Sequence, residues 1–202
     1  MSQLILDRPR TVTPAPAAAL AAVPEAVTAV AGTPRSATRT AVAVGVPSPQ
    51  PDGSAPLQFR PESEAGLALG AARADVVRLG FSVQVPSIAA MRELVAAVEE
   101  EIAAVGRDRS TVRIVLDIEV VVADDDAAAR RKRALLGHLD ALAGITWAPS
   151  ATRVVAAPRG VVDAAVTLGE RVGADEVVLV PLTGSADVER LRLLVVDPRS
   201  AA

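Results

Sequence analysis

The sequence predicts an α/β protein built from parallel βα units, and three observations support that prediction. Valine-rich segments alternate with alanine-rich helical segments after residue 54. The apolar run VRIVL is typical of a strand that is buried on both faces of a parallel sheet. The segments ARADVVRLG and VGADEVVLV begin alike, which indicates a repeated unit. Strands that alternate with helices form a parallel sheet through right-handed crossovers.

The alternation predicts each element in turn. Residues 1–40 are rich in Ala, Pro and Thr and are expected to form an irregular tail, and residues 41–202 the folded domain. Strands are predicted over 38–46, 55–59, 74–83, 111–123 and 174–182, and helices over 64–72, 86–106, 124–144, 161–172 and 187–195. No helix or strand is predicted over 145–160.

The helix over 86–106 has the clearest pattern. Six apolar residues recur at spacings of three and four and are expected on one face: Ile88, Met91, Leu94, Val98, Ile102 and Val105. Ser87 can cap its start and Gly106 can end it.

Composition excludes several classes of function. The chain has 202 residues with 50% apolar content, which suits one domain with one core. A formal charge of -3 gives no attraction to nucleic acid or to an anionic membrane, and we expect neither as a partner.

Cysteine is absent and histidine occurs once, so disulfides, thiolate nucleophiles and multi-histidine metal sites are excluded. The absence of cysteine fits a reducing compartment, and we expect a cytoplasmic protein. Pro24 and Glu25 interrupt the apolar run over 15–32, so neither a membrane span nor a signal peptide is predicted.

The turn PESEAG, residues 61–66, is the leading candidate site, and it has two interpretations. Ser63 can cap the helix that follows, which needs no ligand. The same turn can instead hold a phosphate, because a helix N-terminus offers backbone N–H groups and a positive dipole end.

Three other features are weaker candidates. His138 is expected to be a partly buried helix residue. The acids Asp124 to Asp126 are expected to cap a helix rather than to bind a metal. The basic run RRKR, residues 130–133, spreads around a helix and is expected to be solvated.

Four segments in order resemble the second half of the bacterial luciferase-like flavin monooxygenases, in particular the nitrilotriacetate and dibenzothiophene-sulfone monooxygenase subgroup. They lie between residues 47 and 199. They are SPQPDGSAPLQFRPESEAGLALGAARADVVRLG, VEEEIAAVGRDRSTVRIVLDIEVVVADDDAAARRKRALL, VVAAPRGVVDAAVTLGERVGADEVVLVP and LRLLVVDPRS. The resemblance implies βα units like those of the second half of a TIM barrel.

The same resemblance implies an oxidoreductase that uses reduced FMN, supplied by a flavin reductase, and O₂ on a small organic substrate. It implies cofactor binding at Ser63, Glu64 and Gly66, on the turn that matches the family's phosphate turn. A deazaflavin, coenzyme F420, stays open as the alternative cofactor. The sequence departs from the family where RPES stands in place of AG-x-S.

About four βα units follow the tail, which is about half of an eight-unit barrel. Half a barrel leaves open sheet edges, so we expect a homo- or hetero-oligomer that completes the barrel. The family's proton-handling histidine lies in the other half, which leaves two versions open: a monooxygenase shortened and completed by another chain, or a relative inactive alone. A non-catalytic α/β interaction module that binds a partner chain through the open sheet edge is the alternative.

Overall fold

The computed structural model describes residues 40–144, 147–182 and 184–196. The strands are β1 (Ala41–Val44), β2 (Gln58–Phe59), β3 (Val76–Gly80), β4 (Arg113–Val122), β5 (Val154–Ala156) and β6 (Glu176–Pro181). The helices are α1 (Glu64–Arg73), α2 (Ile88–Ala104), α3 (Asp126–Ala143), α4 (Pro158–Val172) and α5 (Ser185–Val196). The tail predicted over 1–40 lies outside the described residues except for Thr40, which is buried and donates a hydrogen bond to the Ala174 carbonyl.

All pairings among these strands are parallel, and the order is β1-β6-β4-β3-β2. The short β5 pairs with the carboxyl end of β4 over 120–122. The predicted fold class, parallel βα units of a TIM barrel type, is therefore confirmed. The long apolar β4 lies in the middle of the sheet, as its composition requires, because a central strand is buried on both faces.

Four helices, α1, α2, α4 and α5, cover one face of the sheet. Their apolar side chains form the main core with the even-numbered residues of β4, including Ile114, Leu116 and Ile118. We call the opposite face, which carries Arg113, Val115, Asp117 and Glu119 of β4, the inner face, since it corresponds to the interior of a barrel whose helices lie outside. The inner face holds only a small apolar cluster, made by Ala43, Val76, Val115 and Val178.

The predicted caps are present and the predicted helix face is mostly correct. Ser87 is the N-cap of α2 and its hydroxyl accepts from the Ala90 N–H at 3.2 Å. Met91, Val98 and Ile102 are buried as expected, whereas Val105 is 43% exposed and Val95 is buried in its place. Val105 is exposed because α2 ends at Ala104, one residue before the apolar pattern does.

The segment 145–160 was wrongly left without an element. It contains a turn of 3₁₀ helix over Pro149–Ala151, the strand β5 and the first turn of α4, which begins at Pro158 rather than at residue 161. Proline suits this position because the first helical N–H has no partner within the helix. The chain therefore has five βα units after β1, not four, counting β5 with α4.

Candidate functional site

The predicted turn lies at the carboxyl edge of the sheet, where β2 ends and α1 begins. Ser63 has extended backbone angles and is the N-cap of α1, and its Oγ accepts from the Gly66 N–H at 3.1 Å. Glu64 opens the first turn of the helix and is exposed. The geometry is that of a helix cap, so the capping interpretation of Ser63 holds in this structure, and phosphate contact stays a prediction.

Gly66 is closely packed within the turn. A Cβ at this position would lie 3.3 Å from Ser63 Oγ and 3.7 Å from the ring of Phe59. The side of Gly66 that lacks a side chain thus faces the protein, and the glycine lets α1 approach β2 closely. Close packing is thus a reason for a glycine here that needs no cofactor.

A phosphate at this turn would have to be held mainly through backbone groups. The N–H of Gly66 already donates to Ser63, and the N–H of Leu67 donates to the Ser63 carbonyl at 2.8 Å. A phosphate would therefore be held by the N–H groups of Glu64 and Ala65 and by the Ser63 hydroxyl, once that hydroxyl turns to donate. The carboxylates of Glu62 and Glu64 are exposed and oppose anion binding.

A cleft of about 260 Å³ opens on the inner face at the same edge of the sheet. It is lined by residues at or near the carboxyl ends of β2, β3, β4 and β6 and by the segment that leads into β5: Arg60, Gly80, Phe81, Asp117, Glu119, Trp147, Pro149, Thr152, Arg153 and Val180. Ligands of open parallel sheets bind outside the carboxyl ends of the strands, so this cleft is in the usual place.

Asp117 is the centre of the charged wall of the cleft. Its side chain is 7% exposed and lies between two arginines. Arg78 on β3 donates from Nη2 to Oδ1 at 2.7 Å and from Nε to both carboxylate oxygens. Arg60 pairs with Oδ2 from the loop after β2. Both contacts fix the position of the carboxylate.

A second pair forms the opposite part of the wall. Arg153 donates from Nε and Nη2 to Oε2 of Glu119, at 3.0 and 2.6 Å. The loop that carries Arg153 is anchored to α3 by Asp140, which accepts from the Ser150 N–H at 2.8 Å. The Ser150 hydroxyl and its backbone N–H hold the pKa of Asp140 below its usual value.

Two of the three aromatic residues of the chain line the cleft. Phe81 directly follows β3, and Trp147 lies between α3 and β5. Among the described residues, Trp147 Nε1 is the buried side-chain nitrogen or oxygen without a hydrogen-bond partner. A buried donor without an acceptor costs free energy.

The weaker candidates lie outside the cleft. His138 is exposed on α3 rather than partly buried, because α3 packs mainly through Ala129 and Leu136. Asp125 caps α3 through the Ala128 N–H at 2.6 Å, as expected of the acidic run. In the basic run Arg130 and Arg131 are exposed, but Lys132 donates to the Val122 carbonyl and Arg133 to the Val155 carbonyl.

The chain also matches a known protein family. The family described as luciferase-like monooxygenase matches residues 13–178. The chain belongs to the luciferase-like monooxygenase family. The matched range begins inside the segment expected to be a tail and includes the turn at Ser63 and most of the cleft.

Solved structures of luciferase-like proteins share this fold at low sequence identity. A riboflavin lyase crystallised with modified FMN and riboflavin has a TM-score of 0.53 and 19% identity over 78% of this chain and 46% of that chain. The EDTA monooxygenase of Chelativorans sp. BNC1 has a TM-score of 0.52 and 14% identity, with 75% and 46% covered. The coenzyme F420-dependent tetrahydromethanopterin reductase of Methanopyrus kandleri has a TM-score of 0.52 and 12% identity, with 69% and 49% covered.

The chain spans about half the length of these solved structures. No curated protein matches it. None of the described helices is both long and apolar enough to cross a membrane.

Sequence reasoning named only one part of the candidate site. The turn at Ser63, Glu64 and Gly66 stays a prediction as a cofactor site, and the cleft residues Arg60, Asp117 and Trp147 were not foreseen. One signal was available for Asp117, because a carboxylate within the apolar run VRIVLDIEVVV must be paired if that strand is central.

Proposed function

We propose that the chain is a cofactor-binding module of a luciferase-like oxidoreductase, which uses reduced FMN and O₂ on a small organic substrate. The supporting observation is the position of Arg60. It lines the cleft and stands three residues before Ser63, so the predicted phosphate turn and the cleft adjoin at one edge of the sheet. Bound reduced flavin would supply the electrons that activate O₂.

FMN is the preferred cofactor and coenzyme F420 the alternative. Both cofactors occur among the similar structures, FMN in a modified form with the riboflavin lyase and coenzyme F420 with the reductase that depends on it. Both carry a phosphate group, so the turn at Ser63, Glu64 and Gly66 would hold either one.

We expect the chain to be inactive alone. The family resemblance places the proton-handling histidine in the half of the barrel that this chain does not resemble, and the single histidine here, His138, is exposed on α3. Another chain would complete the barrel, and a flavin reductase would supply reduced FMN. Substrate-dependent O₂ consumption by the purified chain with FMN and a reductase would contradict this part of the proposal.

The test of cofactor binding compares FMN with riboflavin, which lacks the phosphate. Flavin fluorescence is followed during titration of the wild-type chain and of Ser63→Asp. Aspartate caps a helix as well as serine does but adds a negative charge where the phosphate would sit. We expect the wild type to prefer FMN and the variant to lose that preference by about tenfold or more, since a charge-assisted hydrogen bond contributes about 1.5–3 kcal/mol.

Ser87→Asp is the matched control. Ser87 caps α2 with almost the same backbone angles and the same contact to the third helical N–H. It should leave the ratio of FMN to riboflavin affinity unchanged. Equal binding of FMN and riboflavin by the wild type would show that the turn is only a helix cap.

The competing candidate is a non-catalytic scaffold, and the capped state of Ser63 favours it. In that case neither FMN nor coenzyme F420 binds, while the open edge of the sheet still binds a partner chain.

A further inference from the structure

We propose that one exposed face of α3 docks an acidic amphipathic helix of a partner protein. The face consists of Leu135, Leu139 and Leu142, with Arg131 and Lys132 at its amino-terminal end, and we call it the leucine face. None of these residues lines the cleft, and the inference does not rest on flavin binding. Three properties support it: the shallow packing of α3, the spacing of its exposed leucines and the charges beside them.

α3 packs less deeply than the other long helix, α2. Ala129 is the one buried residue among the 18 of α3, whereas α2 buries four of its 17 residues. The main contacts of α3 are with β5 and the 3₁₀ turn over Pro149–Ala151. Its apolar side chains join a small separate cluster rather than the main core. Much of the surface of α3 is therefore open to a partner.

The leucines of the leucine face form one exposed row. Leu135, Leu139 and Leu142 are 57%, 50% and 71% exposed. Each of the other described helices carries at most one exposed large apolar side chain, Leu69 on α1 and Leu193 on α5. Single exposed apolar residues are common on protein surfaces, whereas a contiguous apolar patch marks an interaction site.

The spacing of the row favours a helix as the partner. The leucines follow one another at intervals of four and three residues, which is the spacing of the core positions of a coiled coil. They extend over about 10 Å along one side of α3, since a helix rises about 1.5 Å per residue. A second helix that lies alongside can insert its own apolar side chains between them.

The cations of the leucine face have no carboxylate beside them. Arg131 and Lys132 precede Leu135 by four and three positions, so they lie on the same side of the helix. Arg131 is exposed and forms no ion pair with a described residue. Lys132 donates to the Val122 carbonyl, which is neutral and leaves the charge of the ammonium group uncompensated. Carboxylates on a docked helix would neutralise both cations.

The acids of α3 do not meet these cations. Asp126 is nine positions before Leu135, on the opposite side of the helix, and Asp140 accepts from the Ser150 N–H. A second copy of the leucine face would bring the same cations and no acid. An anionic membrane would meet the whole chain, whose formal charge is -3, whereas a helix meets the leucine face alone. A separate acidic helix therefore matches both the leucines and the cations.

Two synthetic peptides of equal length are the probes. Both have leucines at alternating intervals of four and three residues, and one carries glutamate beside the leucines where the other carries lysine. Fluorescence anisotropy of each labelled peptide measures its binding to the full chain. We expect saturable binding of the glutamate peptide and about tenfold weaker binding, or less, of the lysine peptide. Equal affinities, or no saturable binding of the glutamate peptide, would overturn the inference.

Leu139→Gln tests the row of leucines. Glutamine keeps a high helix propensity but removes the apolar side chain at the centre of the row, so we expect about tenfold weaker binding of the glutamate peptide. Leu69→Gln is the matched control, because Leu69 is 52% exposed on α1, and it should leave the affinity unchanged. An unchanged affinity in Leu139→Gln would show that the peptide binds elsewhere.

Arg131→Gln tests the charges. It should lower the preference for the glutamate peptide over the lysine peptide by about threefold, as expected for one exposed ion pair. Arg92→Gln replaces an exposed arginine of α2 and should leave the preference as it is in the wild type. The same preference in the wild type and in Arg131→Gln would contradict a role of charge in docking.

Two further measurements separate the other occupants of the leucine face. Sedimentation with phosphatidylglycerol vesicles that Leu139→Gln abolishes, without binding of the glutamate peptide, would assign the face to a membrane and overturn the inference. A wild-type dimer that Leu139→Gln dissociates in analytical ultracentrifugation would assign it to a second copy and overturn it as well. Absence of flavin binding would remove the proposed cofactor and leave this docking site standing.

Discussion

At the scale of single residues, Asp117 is the side chain that connects two elements on the inner face. It brings together the loop after β2, through Arg60, and the strand β3, through Arg78. A buried carboxylate is tolerated only with partners of this kind, because desolvation alone would be very costly. The same contacts form one wall of the candidate cleft.

Replacing this carboxylate should destabilise the fold. We expect Asp117→Asn to lower the free energy of unfolding by about 2–3 kcal/mol, since it removes charge-assisted hydrogen bonds and leaves two guanidinium groups without their anion. Urea denaturation measures the change. Glu119→Gln is the control, because Glu119 is half exposed and its loss should cost less than about 1 kcal/mol. An equal loss of unfolding free energy in the two variants would show that burial of the Asp117 carboxylate does not determine its contribution to stability.

Asp140 provides a pH-dependent test of the loop that carries Arg153. Hydrogen bonds from Ser150 lower the pKa of Asp140 in the folded state, so its contribution to stability is present above the unfolded pKa, about 3.9. It is lost as the pH falls through the folded pKa. Asp140→Asn should therefore be less stable than wild type at neutral pH, with the difference shrinking below about pH 4. Urea midpoints between pH 3 and 7 measure this, and a difference independent of pH would argue against it.

Single-residue features were predictable from the sequence where their partners are local. The caps at Ser63, Ser87 and Asp125 involve a backbone N–H three residues away, and a sequence pattern reports such spacing. The pairs of Asp117 join residues 39 and 57 positions apart, and only the register of the sheet brings them together.

At the scale of elements, the packing of α4 against the sheet depends on Gly169. A Cβ at Gly169 would lie 2.5 Å from Thr40 Cγ2 and 2.7 Å from Val177 Cγ2, both ends of β-branched side chains with little freedom. The glycine therefore lets α4 lie close to β1 and β6, the two strands at one side of the sheet.

Alanine at this position should destabilise despite its better helix propensity. We expect Gly169→Ala to lower the free energy of unfolding by about 1–3 kcal/mol through overpacking. Gly137→Ala in α3 is the matched control, because open space surrounds Gly137, and it should stabilise by up to about 1 kcal/mol. Thermal unfolding of the two variants gives the comparison, and a stabilised Gly169→Ala would contradict this packing.

Elements were predictable where a long periodic pattern exists, as in β4 and α2. The strand β5 was missed because it has three residues and is bounded by a proline turn and by Pro158. A strand of that length has no alternation to detect, and its pairing with β4 defines it.

At the scale of the whole molecule, the sheet of the described residues has two edge strands, β1 and β2. In the described part of the chain β1 pairs only with β6, and β2 only with β3. The loop after β1 covers the amino end of the inner face, since Ser48 binds Glu176 at 2.6 Å through its hydroxyl and accepts from Arg113 at 2.6 Å through its carbonyl. The loop therefore lies at the amino end of the inner face, and the cleft lies toward the carboxyl end.

These edges predict self-association of the purified chain. Ala41 and Gly45 donate toward β6, so by alternation the Val42 N–H points outward. Val42→Pro should block pairing at this edge and convert an oligomer to a monomer, as proline is tolerated on edge strands. Ala43→Pro, which removes an inward N–H, should instead unfold the domain. Analytical ultracentrifugation measures both, and a wild-type monomer at all concentrations would contradict barrel completion by a second copy.

The most direct test of the proposed function is phosphorus NMR of FMN added to the full chain. If the turn at Ser63, Glu64 and Gly66 holds the phosphate, the phosphorus resonance shifts and broadens with wild type and with Ser87→Asp, and stays at its free position with Ser63→Asp. A resonance that remains at the free position with the wild-type chain at saturating concentration would show that this luciferase-like chain binds no FMN phosphate, and that Ser63 only caps α1.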